Sequence, residues 1–281
     1  MLGRAAEIYR QQGTIPLAWK AGKFAIRETQ KKALYTYIRL VDGPSDFIKS
    51  GFPKSGNNWV HFLIANAMVA AAGRDDEIHF RNKNDWVATG IPDEPPVEGF
   101  PRMVSNSNPY DEQPWLSPET RTVYIVRHPA DVMESFYHYR KYRWNNDDGS
   151  FDEFIRDAEV GLPAWRNHVE SWENNWDVLI RFEDLKDDPA AQLGRICSLW
   201  ERDISSEVIE AAVEASSFEN MQRVEQKYGS PEKDGANPDY TFMRKGETNY
   251  GDEYFTDEEY EYLIERVGDV LTRLDYLPTQ P

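Results

Sequence analysis

The 281-residue chain has one cysteine, Cys197. A single thiol excludes an internal disulfide and any metal site built on clustered cysteines. Long apolar runs are absent as well: no stretch approaches the ~20 residues that cross a bilayer. The opening MLGRAAEIYRQQG lacks the apolar core of an export signal. There is no repeat, no low-complexity tract and no Gly/Ser linker to mark a domain boundary. The expectation is a cytoplasmic protein with one large α/β domain.

Basic charge is scarce. Thirty-two Lys and Arg face 49 Asp and Glu, for a net charge of −17. Such a balance excludes a general nucleic-acid binder, which needs a basic surface against phosphates. The deficit is uneven: residues 1–44 carry a net +5, leaving −22 for residues 45–281. That basic leader reads in two ways, as a helical arm on an anionic membrane or partner, or as a helix packed on its own acidic domain.

What is present begins with the run GFPKSGNNWV at residues 51–60. DFIKSGF ahead of it has strand character, and WVHFLIANAMVAAA after it is apolar and alanine-rich, so the reading is strand, tight turn, buried helix. Such a turn aims backbone N–H groups and the positive end of a helix dipole at one spot, and Lys54 adds a charge there. The expected ligand is a phosphate or sulfate. This P-loop-like turn is not the nucleotide loop G-x-x-x-x-G-K-[ST], because Lys54 precedes Gly56.

A long polar segment from Gly73 to Pro101 follows, then a short strand RMVS and a stronger one, Arg121 to Arg127. Pro129 opens a helix through ADVMESFYHYRKY. PAWRNHVESWENNW sets Trp165, His168, Val169, Trp172 and Trp176 at spacings of three and four, which predicts one shared helix face. DVLIRF is the next strand, EDLKDDP its exit, and AAQLGRICSLW, SSEVIEAAVEA and a Thr256-capped C-terminal segment read as helices. Strands alternating with helices predict a mainly parallel central sheet flanked by helices, with ligands beyond the strand C-termini.

In order along the chain, FPKSGNNW, YIVRHPADVMESFYHY, RFEDLKDDP, SSFENM and FMRKG resemble the signature segments of the sulfotransferases that use 3′-phosphoadenosine-5′-phosphosulfate (PAPS). The resemblance covers nearly all of residues 46–270. It implies sulfuryl transfer from PAPS to a hydroxyl or amine of a small-molecule or carbohydrate acceptor, with 3′-phosphoadenosine 5′-phosphate (PAP) as product and no metal. By resemblance, Lys54, Ser55, Gly56, Asn57 and Asn58 hold the 5′-phosphosulfate, with Lys54 also acting on the leaving group. Trp59 faces adenine, with Phe218 opposite and Ser216 and Ser217 in the same adenine-side segment. Arg127, Ser135, Arg244, Lys245 and Gly246 hold the 3′-phosphate.

The chain departs from that pattern where a catalytic histidine is expected. In MVSNSNPYDEQP, aligned by Pro109, Ser105 stands for the family's lysine and Ser107 for its histidine. A serine accepts no proton at neutral pH by itself. The alternatives are a displaced base (His79 first, then His61 or Asp85), an acceptor that needs none, or a PAPS/PAP-binding pseudoenzyme. Phe182 stands where many relatives have tyrosine, and Asp252 and Asp257 break the family's dimer signature.

Overall fold

The computed structural model describes residues 36–37 and 45–278, apart from 91, 93, 147, 231–236, 238–242 and 244–253. The basic leader lies outside the described residues except for those two, and so do Arg244, Lys245 and Gly246. Four strands, β1 (Phe47–Gly51), β2 (Met103–Ser105), β3 (Arg121–Val126) and β4 (Val178–Arg181), pair in parallel in the order β2-β1-β3-β4.

Alternation along the strands splits the core into two layers. Phe47, Met103, Val123, Ile125, Val178 and Ile180 face one side. There they meet α1 (Asn57–Ala71), α6 (Pro189–Cys197), α7 (Ser206–Ala215) and α8 (Phe218–Tyr228). Ile48, Phe52, Val104, Tyr124 and Val126 face the other. That layer is filled by α2 (Pro129–His138), α3 (Phe151–Arg156), α4 (Leu162–Trp172) and α9 (Asp257–Arg273). A sheet buried on both faces needs strands apolar on both sides, which is what RTVYIV supplies. Every residue of α1 from Val60 to Val69 is buried, so its alanines serve close packing rather than amphipathic spacing.

Three local readings change. Trp176 does not share the α4 face: the helix ends at Trp172, Asn174 turns the chain with φ 64, and Trp176 instead stacks on Tyr124 at 5.6 Å. EDLKDDP is not an exit loop but most of a short helix, α5 (Phe182–Asp187). SSFENM opens α8, in which Ser217 accepts the Asn220 N–H at 3.3 Å as a cap, with Met221 and Val224 buried below.

Because β2 and β3 flank β1, the chain reverses its direction of travel across the sheet there, and the exits of β1 and β3 lie side by side, with Gly51 opposite Ile125. That crevice is the topological switch point where ligands of such sheets bind. The β1 exit is conformationally demanding: Lys54 has φ 72 and Gly56 has φ 97. A Cβ on Gly56 would also run into the edge of the Phe182 ring. Gly56→Ala is therefore expected to cost about 1–3 kcal/mol in urea unfolding. Gly73→Ala, at φ +64 with open space around it, should cost at most about 1 kcal/mol. Equal losses would mean that the ring does not constrain the turn.

Candidate functional site

The β1 turn presents an unsatisfied helix start. Gly56 is the N-cap of α1 and brings no side chain to the first-turn N–H groups, which leaves them for an anion. Ser55 is fully buried, and its Oγ has no hydrogen-bond partner among the described residues. A buried hydroxyl in that condition fits an incoming anionic oxygen. Asn57 differs from expectation. Its Nδ2 donates to the carbonyls of Gly51 and Phe52 at 3.0 Å each, and its Oδ1 and carbonyl accept from Lys49 Nζ at 3.3 and 2.8 Å. Its side chain therefore ties the turn, and only its N–H is left for a ligand. Lys54 Nζ lies 4.4 Å from the centre of the Tyr139 ring.

The β3 exit supplies the second charge. The Arg127 guanidinium sits 4.5 Å from the centroid of the Phe182 ring and bonds Asp131 Oδ2 at 3.1 Å. Ser135 lies one turn beyond Asp131, half-buried on the same face of α2. The His128 N–H donates to Glu183 Oε1 at 3.0 Å, and Glu183 in turn accepts from the Tyr276 hydroxyl at 2.6 Å, so α5 and the C-terminal segment fix where α2 begins.

On the other side of the turn, Trp59 Nε1 donates to the Ser216 carbonyl at 3.0 Å, and Ser216 Oγ accepts from Asn66 at 2.9 Å. Ser216 thus fastens α7 to α1 from a fully buried position. The aromatic neighbour of Trp59 is Phe182, edge-on at 5.8 Å, whereas Phe218 is half-buried at the start of α8. Met243, next to Arg244, is held on α8 by Gln222 and Glu225 at 3.2 and 2.9 Å.

Below Lys54, on the α2 and α4 side, Phe52 packs edge-on against Phe136 at 5.9 Å and against His168 at 5.6 Å. The Ser107 segment is immobilised there. The Asn108 carbonyl accepts from Ser50, Gln113 and Trp172 at 3.1, 2.9 and 3.0 Å, and the amides of Asn106 and Gln113 bond each other at 2.9 and 2.8 Å.

The imidazole at Ser107 is His168, a residue that helical spacing had assigned to the core. Its Nε2 faces the Ser107 carbonyl at 3.3 Å and its Nδ1 faces the Tyr124 hydroxyl at 2.8 Å. Donation from Nε2 to the carbonyl leaves Nδ1 to accept from the tyrosine, so neither nitrogen is open to a substrate proton.

None of the expected bases is brought to Ser107. His61 is buried, with Nε2 on the Lys83 carbonyl at 3.0 Å, and burial, then Lys83, holds its pKa well below the usual histidine value. His79 stacks on Tyr228 at 4.1 Å, beside the cluster in which Glu77 accepts from Arg223, Lys227 and Tyr228. The Arg81 N–H occupies its Nδ1. Asp85 lies exposed in the 3₁₀ turn Lys83–Asp85. Among the described residues, no group of three or more His, Cys, Asp or Glu is arranged to hold a metal ion, and no helix is long and apolar enough to cross a membrane.

The fold and crevice define an α/β protein with an uncapped helix start at the switch point of a parallel sheet. Residues 44–275 match the sulfotransferase domain family, and the chain belongs to that family. It is 25% identical over 238 residues to sulfotransferase 2A2 of Rattus norvegicus, covering 78% of this chain and 81% of that one. It is also 28% identical over 184 residues to an amine sulfotransferase of Oryctolagus cuniculus, covering 57% and 58%. Among solved structures, retinol dehydratase in a complex with retinol and PAP aligns with TM-score 0.61 at 17% identity, covering 81% of each chain. Mouse sulfotransferase SULT7A1 complexed with PAP aligns with TM-score 0.58 at 20% identity, covering 81% of this chain and 84% of that one.

The buried imidazoles make stability depend on pH. Burial lowers the His168 pKa from 6.5 to about 4. A histidine whose folded pKa is depressed contributes stability that is whole above the unfolded pKa and is lost as pH falls toward the folded one. Urea unfolding should therefore show a loss of about 2 kcal/mol from His168 between pH 7.5 and pH 5, and His61 should add to it. His168→Phe should flatten that slope. An unchanged slope in the variant would place the loss elsewhere.

Proposed function

We propose that the chain moves the sulfuryl group of PAPS to a hydroxyl or amine of a small-molecule or carbohydrate acceptor, releasing PAP. One observation carries the donor assignment: at the switch point, an uncapped helix start with Lys54 beside it lies one strand away from Arg127. Two separated cationic sites suit a nucleotide with an anionic group at each end. The 5′ end is assigned to Lys54, Ser55 Oγ and the N–H groups of Gly56 to Asn58, and the 3′-phosphate to Arg127 and Ser135. Adenine is assigned to the face of Trp59. Phe182, not Phe218, is the aromatic that orients Trp59. PAP in the solved relatives is consistent with this reading. The assignment of Arg244, Lys245 and Gly246 rests on the resemblance alone.

When bound, PAPS supplies a sulfuryl group whose bond to the bridging phosphate oxygen breaks as the acceptor atom bonds to sulfur. Lys54 and the helix N–H groups offset the charge that grows on the departing oxygen, the point at which preorganised donors matter most. The acceptor is assigned to the side lined by Phe52, Phe136, Tyr139 and the Ser107 segment. Because His168 is saturated by Tyr124 and the Ser107 carbonyl, the acceptor's proton leaves without an imidazole at that position. Acceptors that are nucleophilic on their own, amines and acidic hydroxyls, suit such a site, in keeping with an amine sulfotransferase among the relatives.

Calorimetry with PAP tests the donor site. Arg127→Ala should weaken binding by about 2–4 kcal/mol, with little loss toward the 3′-dephospho nucleotide. Equal loss for both ligands would remove Arg127 from the 3′ end. With a panel of amines, phenols, alcohols and sugars, Lys54→Ala should lower kcat by about 10²-fold, more than it weakens PAP, and His79→Ala should leave kcat intact. If PAP binds tightly and no acceptor in the panel is sulfated, a nucleotide-holding role replaces the transferase reading.

A further inference from the structure

Directly beneath the turn lies a group of basic side chains that the donor assignment leaves unused. Lys49 projects from the middle of β1, only 1% exposed, toward the α1 side of the sheet. Its Nζ reaches the carbonyl and Oδ1 of Asn57 at 2.8 and 3.3 Å, in the first turn of α1. Among the described residues no carboxylate pairs with it. The titratable neighbours on the packed elements are His61 of α1 and Lys83 of the 3₁₀ turn, whose Nζ lies 3.5 Å from His61 Nδ1. On the flanking strands its register partners are Ser105 and Val123, neither of which carries charge. A buried lysine facing a second lysine and no acid is an expensive arrangement for a scaffold. An apolar residue would fill the strand position at lower cost. Through Asn57, whose amide holds the carbonyls of Gly51 and Phe52, Lys49 braces both ends of the anion-binding turn.

Resting on the donor reading, we propose that Lys49 is a positioning residue of the donor site that takes up a proton from solvent when an anion is held in the turn above it. Burial and then the charge of Lys83 hold its pKa well below the ordinary lysine value in the free protein. An anion at the start of α1 opposes both effects, since a nearby negative charge favours the protonated amine. The bound state then has a cation under the turn as well as Lys54 beside it, while the free state avoids the cost of a buried unpaired charge. Ser105, where the resembling sequences carry a lysine, lies directly opposite Lys49 in register, so the cation is supplied from the neighbouring strand.

Calorimetric titration of the full chain with PAP in buffers of different ionisation enthalpy, from pH 6.5 to 9, tests the proposal. Binding to the wild type should take up a proton, approaching about one at the optimum pH. Lys49→Met should abolish the uptake and weaken PAP about tenfold or more. Lys49→Arg, whose side chain stays charged, should also bind without uptake. Lys83→Met should retain the uptake but move it to higher pH, because a repulsive neighbour has gone. Circular dichroism and melting identify any variant that does not fold, and the wild-type proton count stands without the variants. Buffer-independent heat in the wild type, or uptake that survives in Lys49→Met, overturns the proposal and leaves the donor site standing. No PAP binding by the wild type overturns both.

Discussion

The Phe182 ring is the contact on which the crevice depends. Its edge fills the space that a side chain at position 56 would take, it meets Trp59 at 5.8 Å, and the Arg127 guanidinium lies over it at 4.5 Å. The exits of β1 and β3 therefore converge on one buried side chain that itself follows β4. Pulling either of them away would open a void in a densely packed place, which ordinarily costs several kcal/mol for a phenylalanine. The arrangement also explains why residue 56 must be glycine twice over, once for its backbone angle and once for the ring against it. The first N–H groups of α1 are aimed by this packing rather than by a capping side chain, which would itself have occupied them.

The frame of the fold was legible because it depends on local signals. RTVYIV has no polar alternation, so it belongs inside a covered sheet, and Pro129 and Thr256 mark helix starts by their own chemistry. The turns after β1 and β3 were legible as motifs for the same reason. What stayed hidden were side-chain partners and helix ends that residue type and spacing do not announce. Asn57 stood among the ligand donors by resemblance, yet carbonyls five and six residues back claim its amide. Trp176 kept helical spacing past the point at which Asn174 had ended the helix. The partners of His168 lie 44 and 61 residues away, and the Ser216 hydroxyl meets Asn66 across 150. No spacing rule reports such contacts. α8 could have been read from Met221 and Val224 behind a serine cap, but its polar face gives a weak apolar pattern.

The sheet divides the chemistry between its two faces. On the α1 face, basic groups and helix N–H groups gather under and around the turn. On the α4 face, carbonyls and amides close on one another, with the Asn108 carbonyl taking three donors and His168 held between a tyrosine and a carbonyl. A network in which every member is satisfied is rigid and gains strength from its low-dielectric surroundings. Its consequence here is that the Ser107 segment keeps its place although the residue itself can take no proton.

This division also accounts for how a chain of net charge −17 carries a site for a polyanion. Exposed carboxylates act through water and salt, and their fields fade over roughly 10 Å at ordinary ionic strength. Lys49, His61 and Lys83 are buried beneath the turn, and Arg127 is nearly so. Their influence on a ligand at the crevice passes through protein instead of solvent and is screened far less. Surface acidity therefore weighs little at the crevice, where the few buried basic groups lie closest. The same burial that lets them act on the ligand makes them costly without it, so the free protein keeps its buried imidazoles neutral and leaves the positive end of α1 without a capping side chain.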